Sequence, residues 1–540
     1  MRSTDLHQSY LPLRAWLLAA VAAIVLLLLQ DGAFGDVFPL LLGFMPLGVD
    51  GPSYLHTMLG RAAATFAWVS VAALFGWGMA LCLTLLGGFT GKGGLKVLVW
   101  TGRLLGNIPP MAWTLALLVV LIQRWSVPVE TLFPYAPPAE MDHAMLRAGR
   151  QVWAWMLPSC VLALPACGMM LSTLAHRLEM LITEDQMRHL QARGLGRASI
   201  LHHHFLPYLM LDLVRHGRAT LPLLLGFSVP VENILGFDGL GGFAGQMLQT
   251  QEFPKALPAA IYLGGWMLLL WFGLLGPLEK RSPAVRVMPA YPEGESRALI
   301  CAVAGAVLLF VLLVAPNWIS QAAVSQAHLA TWSELLFVLQ AVGVACAVVL
   351  ISLPLWQGWD RVKPRWNFGL ISPAISESIL IAMVLLLSAT AWLDVPLAAM
   401  GVGMVLSLGG MALLREQARE LSARRMVEAS TMIGENTPGV LKHHLLRYLL
   451  PSLANWALRM MAALLLWMSI IHWFLPGTGD ALNLSWGAQM RLASEEVFDD
   501  AIGVMVPALL VALWCLSLQL LSRAFRADLP LQESPPADPR

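Results

Sequence analysis

RHLQARGLGRASILHHHFLPY, residues Arg188–Tyr208, returns in altered form as EASTMIGENTPGVLKHHLLRY at Glu428–Tyr448, 240 residues further on. In that register Arg188 aligns with Glu428, Gly194 with Gly434, His203–His204 with His443–His444, Leu206 with Leu446 and Tyr208 with Tyr448. Each copy lies between long apolar runs. Two such loops in corresponding places point to two membrane halves joined in one chain, each presenting one docking surface to a soluble partner.

The surrounding composition fits that reading. Of the 540 residues 58% are hydrophobic and 12% charged, too little charge for a soluble domain of this size. Apolar runs long enough to cross a bilayer lie at about 13–30, 55–86, 97–123, 152–174, 207–235, 257–278, 298–316, 331–356, 374–393, 396–414, 452–474 and 501–522. Lipid offers no water to free backbone groups, so the runs are expected to be helices. The expected class is therefore all-α, a polytopic membrane protein with about 12 transmembrane helices in two six-helix halves. With the N-terminus placed inside, the outer loops carry only Arg124, Arg147, Arg150, Lys255 and Arg491 of 34 lysines and arginines. This asymmetry puts both termini in the cytoplasm.

Glu279–Arg297 is charged and proline-rich and reads as a linker. It separates a first half, 1–280, from a second, 298–540, with 281–297 cytoplasmic. Both halves have an even number of spans, so an axis along the membrane normal is expected to relate them. A second similarity follows each repeated loop. VENILGFDGLGGFAGQM (Val231–Met247) and FLPGTGDALNLSWGAQM (Phe474–Met490) read as glycine-rich turns at the outer end of a span.

Within the second loop, Arg424–Ile433 favours helix, Gly434 is a C-terminal cap, and Thr437-Pro438 opens another helix. Gly194 and Gly196 occupy the same turn of the first loop. A helix–turn–helix of this size suits a groove on another protein. Glu232 and His472 lie near outer span ends, at the interface or lining a pathway. Asp212, Arg215 and Arg218 form a local charged set on one span. The six cysteines all fall in apolar runs without metal-ligand spacing, and three adjacent histidines at 202–204 point in different directions on a helix, so neither a metal site nor a cofactor is inferred. The stretch Gly87–Gly93 lacks the glycine spacing and the Ser/Thr of a phosphate-binding loop and reads as a flexible turn.

The loops resemble the E-A-A-x-x-x-G motif of ATP-binding-cassette importer permeases. Glu428-Ala429-Ser430 with Gly434 carries the likeness, and QARGLG after Arg188 is similar to the A-R-A-K-G-L version of the peptide/nickel subfamily. Val231-Glu232-x-Ile234 followed by Gly239-Leu240-Gly241 resembles one permease of that subfamily, and Phe474-Leu475 through Trp486-Gly487-Ala488 resembles its partner. Arg447 stands where proline is usual, Asp238 likewise, and Ser469 stands where a glutamate is usual. The resemblance implies two permeases fused in one chain, a non-enzymatic transmembrane permease of the bacterial inner membrane. The solutes implied are peptides, nickel or other metal chelates. The implied partners are separate ATPase subunits and an extracytoplasmic substrate-binding protein. Docking would fall to Arg188, Gly194, His204, Leu206, Glu428, Ala429, Gly434, His444 and Leu446, and pathway or gate roles to Glu232, Gly239, Gly241, His472 and Trp486. Alternatives are a fused permease of the iron or thiamine type and an ion-driven secondary transporter.

Overall fold

The computed structural model describes residues 54–124, 144–183, 185–237, 239–249, 303–308, 311, 334–352, 395–422, 433–434, 437–440, 445–474, 485–495 and 501–525. These residues are almost entirely helical. In chain order the helices are α1 (Tyr54–Thr90), α2 (Lys92–Asn107), α3 (Pro110–Val119), α4 (Ala144–Thr183), α5 (Asp185–Ala192), α6 (Leu206–Leu235) and α7 (Leu240–Gln249). They continue with α8 (Glu334–Ser352), α9 (Val395–Ser422), α10 (Leu446–Phe474), α11 (Trp486–Glu495) and α12 (Ala501–Ser522). Among the described residues five helices are long and apolar enough to cross a membrane, and the number reaches seven if each of two bent pairs counts as one crossing. The runs at 13–30, 257–278 and 374–393, and most of 298–316, lie outside the described residues.

Two expected features take a different form. The run at 97–123 is no single rod: α2 and the helix beginning at Pro110 meet at 94°. Ile108 precedes a proline and is extended, at φ −75° and ψ 128°, because the proline ring disfavours helix at the residue before it. Pro110 then opens α3, where a missing N–H costs nothing. The stretch Gly87–Gly93 is likewise no loose turn. Helix runs to Thr90 and resumes at Lys92, and only Gly91 breaks it, at φ 89°. The backbone still bonds across the break, Gly91 N donating to Gly87 O at 3.2 Å and Leu95 N to Gly91 O at 3.2 Å.

Small residues decide which helices touch. A β-carbon added to Gly102 would lie 2.6 Å from Ser172 N and 2.8 Å from Gly168 O, so the backbones of α2 and α4 are in contact there. Gly106 continues the same face one turn on. In lipid, where apolar burial gives no preference for a protein neighbour, such close backbone approach is the main source of helix association. At Gly76 an added β-carbon would meet Ala163 O at 2.6 Å, which brings α1 onto α4 in the same way. The second part repeats the device, with Gly403 of α9 against Ala341 O of α8.

Among the described residues the larger cluster of buried side chains runs through both parts of the chain, anchored by Trp68, Phe205, Phe227, Phe474, Trp486 and Trp514, and a smaller one joins Met58 and Ala62 of α1 to Leu240, Phe243 and Ala244 of α7. α12 packs on α2 and α3. There Asn107 and Gln519 exchange amide hydrogen bonds, Gln519 Nε2 donating to Asn107 Oδ1 at 2.9 Å and Asn107 Nδ2 to Gln519 Oε1 at 3.3 Å.

Candidate functional site: two repeated loops and two buried carboxylates

The first repeated loop is a built turn. α5 ends at Ala192, and Gly194 takes the left-handed conformation with φ 81°. Leu195 N donates to Leu190 O at 3.3 Å and Gly194 N to Gln191 O at 2.9 Å. This is the Schellman pair of bonds, which satisfies the last free carbonyls of a helix. A short helical turn, Arg197–Ser199, and a π-helical turn, Ile200–Phe205, then lead into α6. Met187, Leu190, Ile200, Leu201 and Phe205 of the loop are buried in the core. Gln191, Arg193, Gly196, Arg197, His202 and His203 face outward, and His204 is half-buried. Leu201 also packs by Gly88, at the α1–α2 break. The loop is thus a polar face backed by an apolar one. Arg188 lies on α5, and Leu206 begins α6.

Of the second loop, Gly434 has φ 93°, the same left-handed turn as its counterpart. Thr437–Val440 is helical, as Thr437-Pro438 leads one to expect. Ile433 beside the glycine is 87% exposed. Leu446 begins α10. Glu428, Ala429 and His444 lie outside the described residues.

The far ends of α6 and α10 hold the other candidates. α6 stops at Gly236, left-handed with φ 63°, and Phe237 N donates to Glu232 O at 2.8 Å. The chain then turns by 73° into α7. The turn expected over 231–247 gives way to a short helix, α7, from Leu240, and the last residues of 474–490 begin another, α11, at Trp486, while 475–484 lie outside the described residues. Glycine has low helix propensity in isolation, but here the first-turn N–H groups are capped from neighbouring helices. Leu240 N donates to Thr65 Oγ1 at 2.8 Å, and Gly242 N to Glu232 Oε2 at 2.7 Å. Thr65 Oγ1 in turn donates to Glu232 Oε1 at 2.6 Å, and Trp68 Nε1 to the same oxygen at 2.8 Å. A β-carbon at Gly239 or Gly241 would collide with the Glu232 carboxylate, so both positions need glycine for close approach.

α11 is held similarly. Trp486 N donates to Glu334 Oε1 at 3.0 Å, and His472 Nδ1 lies 3.2 Å from that oxygen. Ala488 N donates to Ser485 Oγ at 3.2 Å. Glu334 Oε2 has no partner among the described residues. Glu232 and Glu334 are 0% and 1% exposed. Glu232 and His472 are therefore inside the helix packing. Glu232 brings Gly239 and Gly241 together, and His472 meets Trp486 through Glu334. Thr65, Trp68 and Glu334 were not among the sequence candidates. Glu334 alone left a trace, as an acid at the start of an apolar run.

Asp212 pairs with Arg177 of α4, Nε to Oδ2 at 3.1 Å; the side chains of Arg215 and Arg218, expected beside it, lie outside the described residues. That bond ties α4 to α6 close to the first loop. Among the described residues no group of three or more His, Cys, Asp or Glu could hold a metal. One contact joins equivalent positions: Phe227 and Trp467, 240 residues apart in the register of the loops, meet with ring centroids at 5.5 Å. Comparison of the chain with protein-family models, with curated proteins and with solved structures finds no match.

Proposed function

We propose that the chain is the transmembrane permease of an ATP-binding-cassette importer of the peptide/nickel class, with two six-span halves in one polypeptide of the bacterial inner membrane. The observation that carries this reading is the pair of left-handed glycines, Gly194 and Gly434, at equivalent places in the repeated loops. Each stands just before one long helix. In the first loop the apolar side is packed and the polar side is free, the arrangement a groove-filling element needs.

In this account separate ATPase subunits grip the two loops from the cytoplasm. α6 and α10 carry the displacement. At 30 and 29 residues they span about 45 Å, from the loops to the buried carboxylates. A residue touches its own counterpart only near a twofold axis. The Phe227–Trp467 pair therefore lies where a pathway between the halves would be, and the buried rings close it. Rigid-body movement of the two helices would part them. An extracytoplasmic binding protein delivers the solute.

The test is reconstitution in vesicles. The chain alone is expected to hydrolyse no ATP, and uptake is expected only when an ATPase subunit is supplied. Uptake driven by a proton gradient with no ATPase present would instead support the ion-driven reading. The buried Glu334, one oxygen of which has no partner among the described residues, is the observation in favour of that alternative.

A further inference from the structure

Each short helix is fastened to the same two neighbours by one bonded pair of side chains, but the acid comes from opposite sides. In the first part the pair is Thr65 of α1 with Glu232 of α6, and in the second it is Glu334 of α8 with His472 of α10. The member that receives the first N–H of the short helix always sits on the earlier helix: Thr65 takes Leu240 N, and Glu334 takes Trp486 N. The member on the later helix is Glu232 in one case and His472 in the other, again 240 residues apart. The fastening is kept while the carboxylate changes sides and its partner changes from threonine to histidine.

We infer that Thr65–Glu232 and Glu334–His472 are equivalent latches, each with one carboxylate that fixes a short helix across two long ones, and that Glu334 is the second part's positioning residue although no residue at its place in the first part is acidic. The latch lies at the end of α6 and α10 remote from the repeated loops. Resting on the importer reading, it transmits movement of those helices to α7 and α11, which cover that end of the pathway. The fastening itself does not depend on that reading.

The equivalence makes the carboxylate movable. Glu334→Thr combined with His472→Glu rebuilds in the second part the pair found in the first. Hydrogen exchange of the full chain in lipid nanodiscs reads the latches directly, because Gly242 N–H and Trp486 N–H are among the bonded donors. Glu334→Thr alone is expected to speed exchange in 485–495 about 10- to 100-fold, as for a buried donor left without its acceptor, and to leave 239–249 unchanged. His472→Glu alone sets two carboxylates together and is expected to do the same. The double variant is expected to recover protection to within a few-fold of the parent. Residues 157–182 serve as the folding control. If either single variant exchanges like the parent, or the double variant is no better protected than the worse single, the equivalence is wrong. If a single variant loses protection everywhere, the double variant must still restore both segments for the inference to stand. Exchange needs no ATPase, so its outcome is separate from the importer reading. Transport by the double variant with the ATPase present then tests the gating role, and protection without transport would confine the latch to structure.

Discussion

Gly194→Val, set beside Gly194→Ala and Gly194→Asn, isolates what the turn of the first loop contributes. Gly194 has φ 81°, and no atom lies within 4 Å of an added β-carbon. The cost of a side chain is therefore conformational and not steric. An ordinary L-residue held in the left-handed region costs roughly 1–2 kcal/mol. Asparagine adopts that region more readily and is the usual second choice at this position of a Schellman turn. A β-branched residue is the worst fit, toward about 3 kcal/mol. The turn is held by two backbone bonds, so a loss of about 2 kcal/mol is a large part of what fixes it. The expected order of hydrogen exchange in 187–199 is glycine, asparagine, alanine, valine, with alanine about 10-fold and valine about 100-fold faster than glycine. ATPase-coupled uptake should fall in the same order, while membrane insertion stays normal. The same series at Gly434, φ 93°, should run in parallel. If valine and asparagine behave alike at both positions, the left-handed turn is not what the repeat preserves.

Other outcomes follow from the packing. Glu232→Gln should destabilise more than Glu334→Gln in thermal unfolding, by about 1–3 kcal/mol. Three donors surround both oxygens of Glu232, so an amide NH2 must face a donor. At Glu334 the amide can leave its oxygen with Trp486 N and turn its NH2 to the side with no partner among the described residues. Gly102→Ala should loosen α2 from α4, measured as a lower unfolding temperature, at a cost of about 1–3 kcal/mol; Gly78→Ala, with nothing within 4 Å, should be neutral. Phe227→Cys with Trp467→Cys should be joined by a short, reductant-cleavable bifunctional thiol reagent, and the link should stop uptake until it is cleaved.

The long helices were legible because hydropathy alone sets them: the runs at 55–86, 152–174, 207–235 and 452–474 correspond to α1, α4, α6 and α10. The left-handed turns at Gly194 and Gly434 were legible because glycine is the residue that geometry demands. The break at Ile108 was written in Pro109-Pro110, but the apolar run continues through it and hides it. α7 and α11 were misread because their glycines suggest loop when the caps are unseen. Those caps come from Thr65 and Glu334, 175 and 152 residues away in sequence. Partners that distant leave no spacing signal. Asp212 shows the same limit: local spacing suggested Arg215 and Arg218, while the fold supplies Arg177 from another helix.

The importer account stands or falls on what the two loops touch. Crosslinkable residues introduced at positions 192 and 432, beside Gly194 and Gly434, report this in native membranes. The account predicts that both positions crosslink to a separate ATP-hydrolysing subunit, with a yield that changes when ATP is added. Absence of any such crosslink from either position, in membranes where the variant chain still transports, would contradict it.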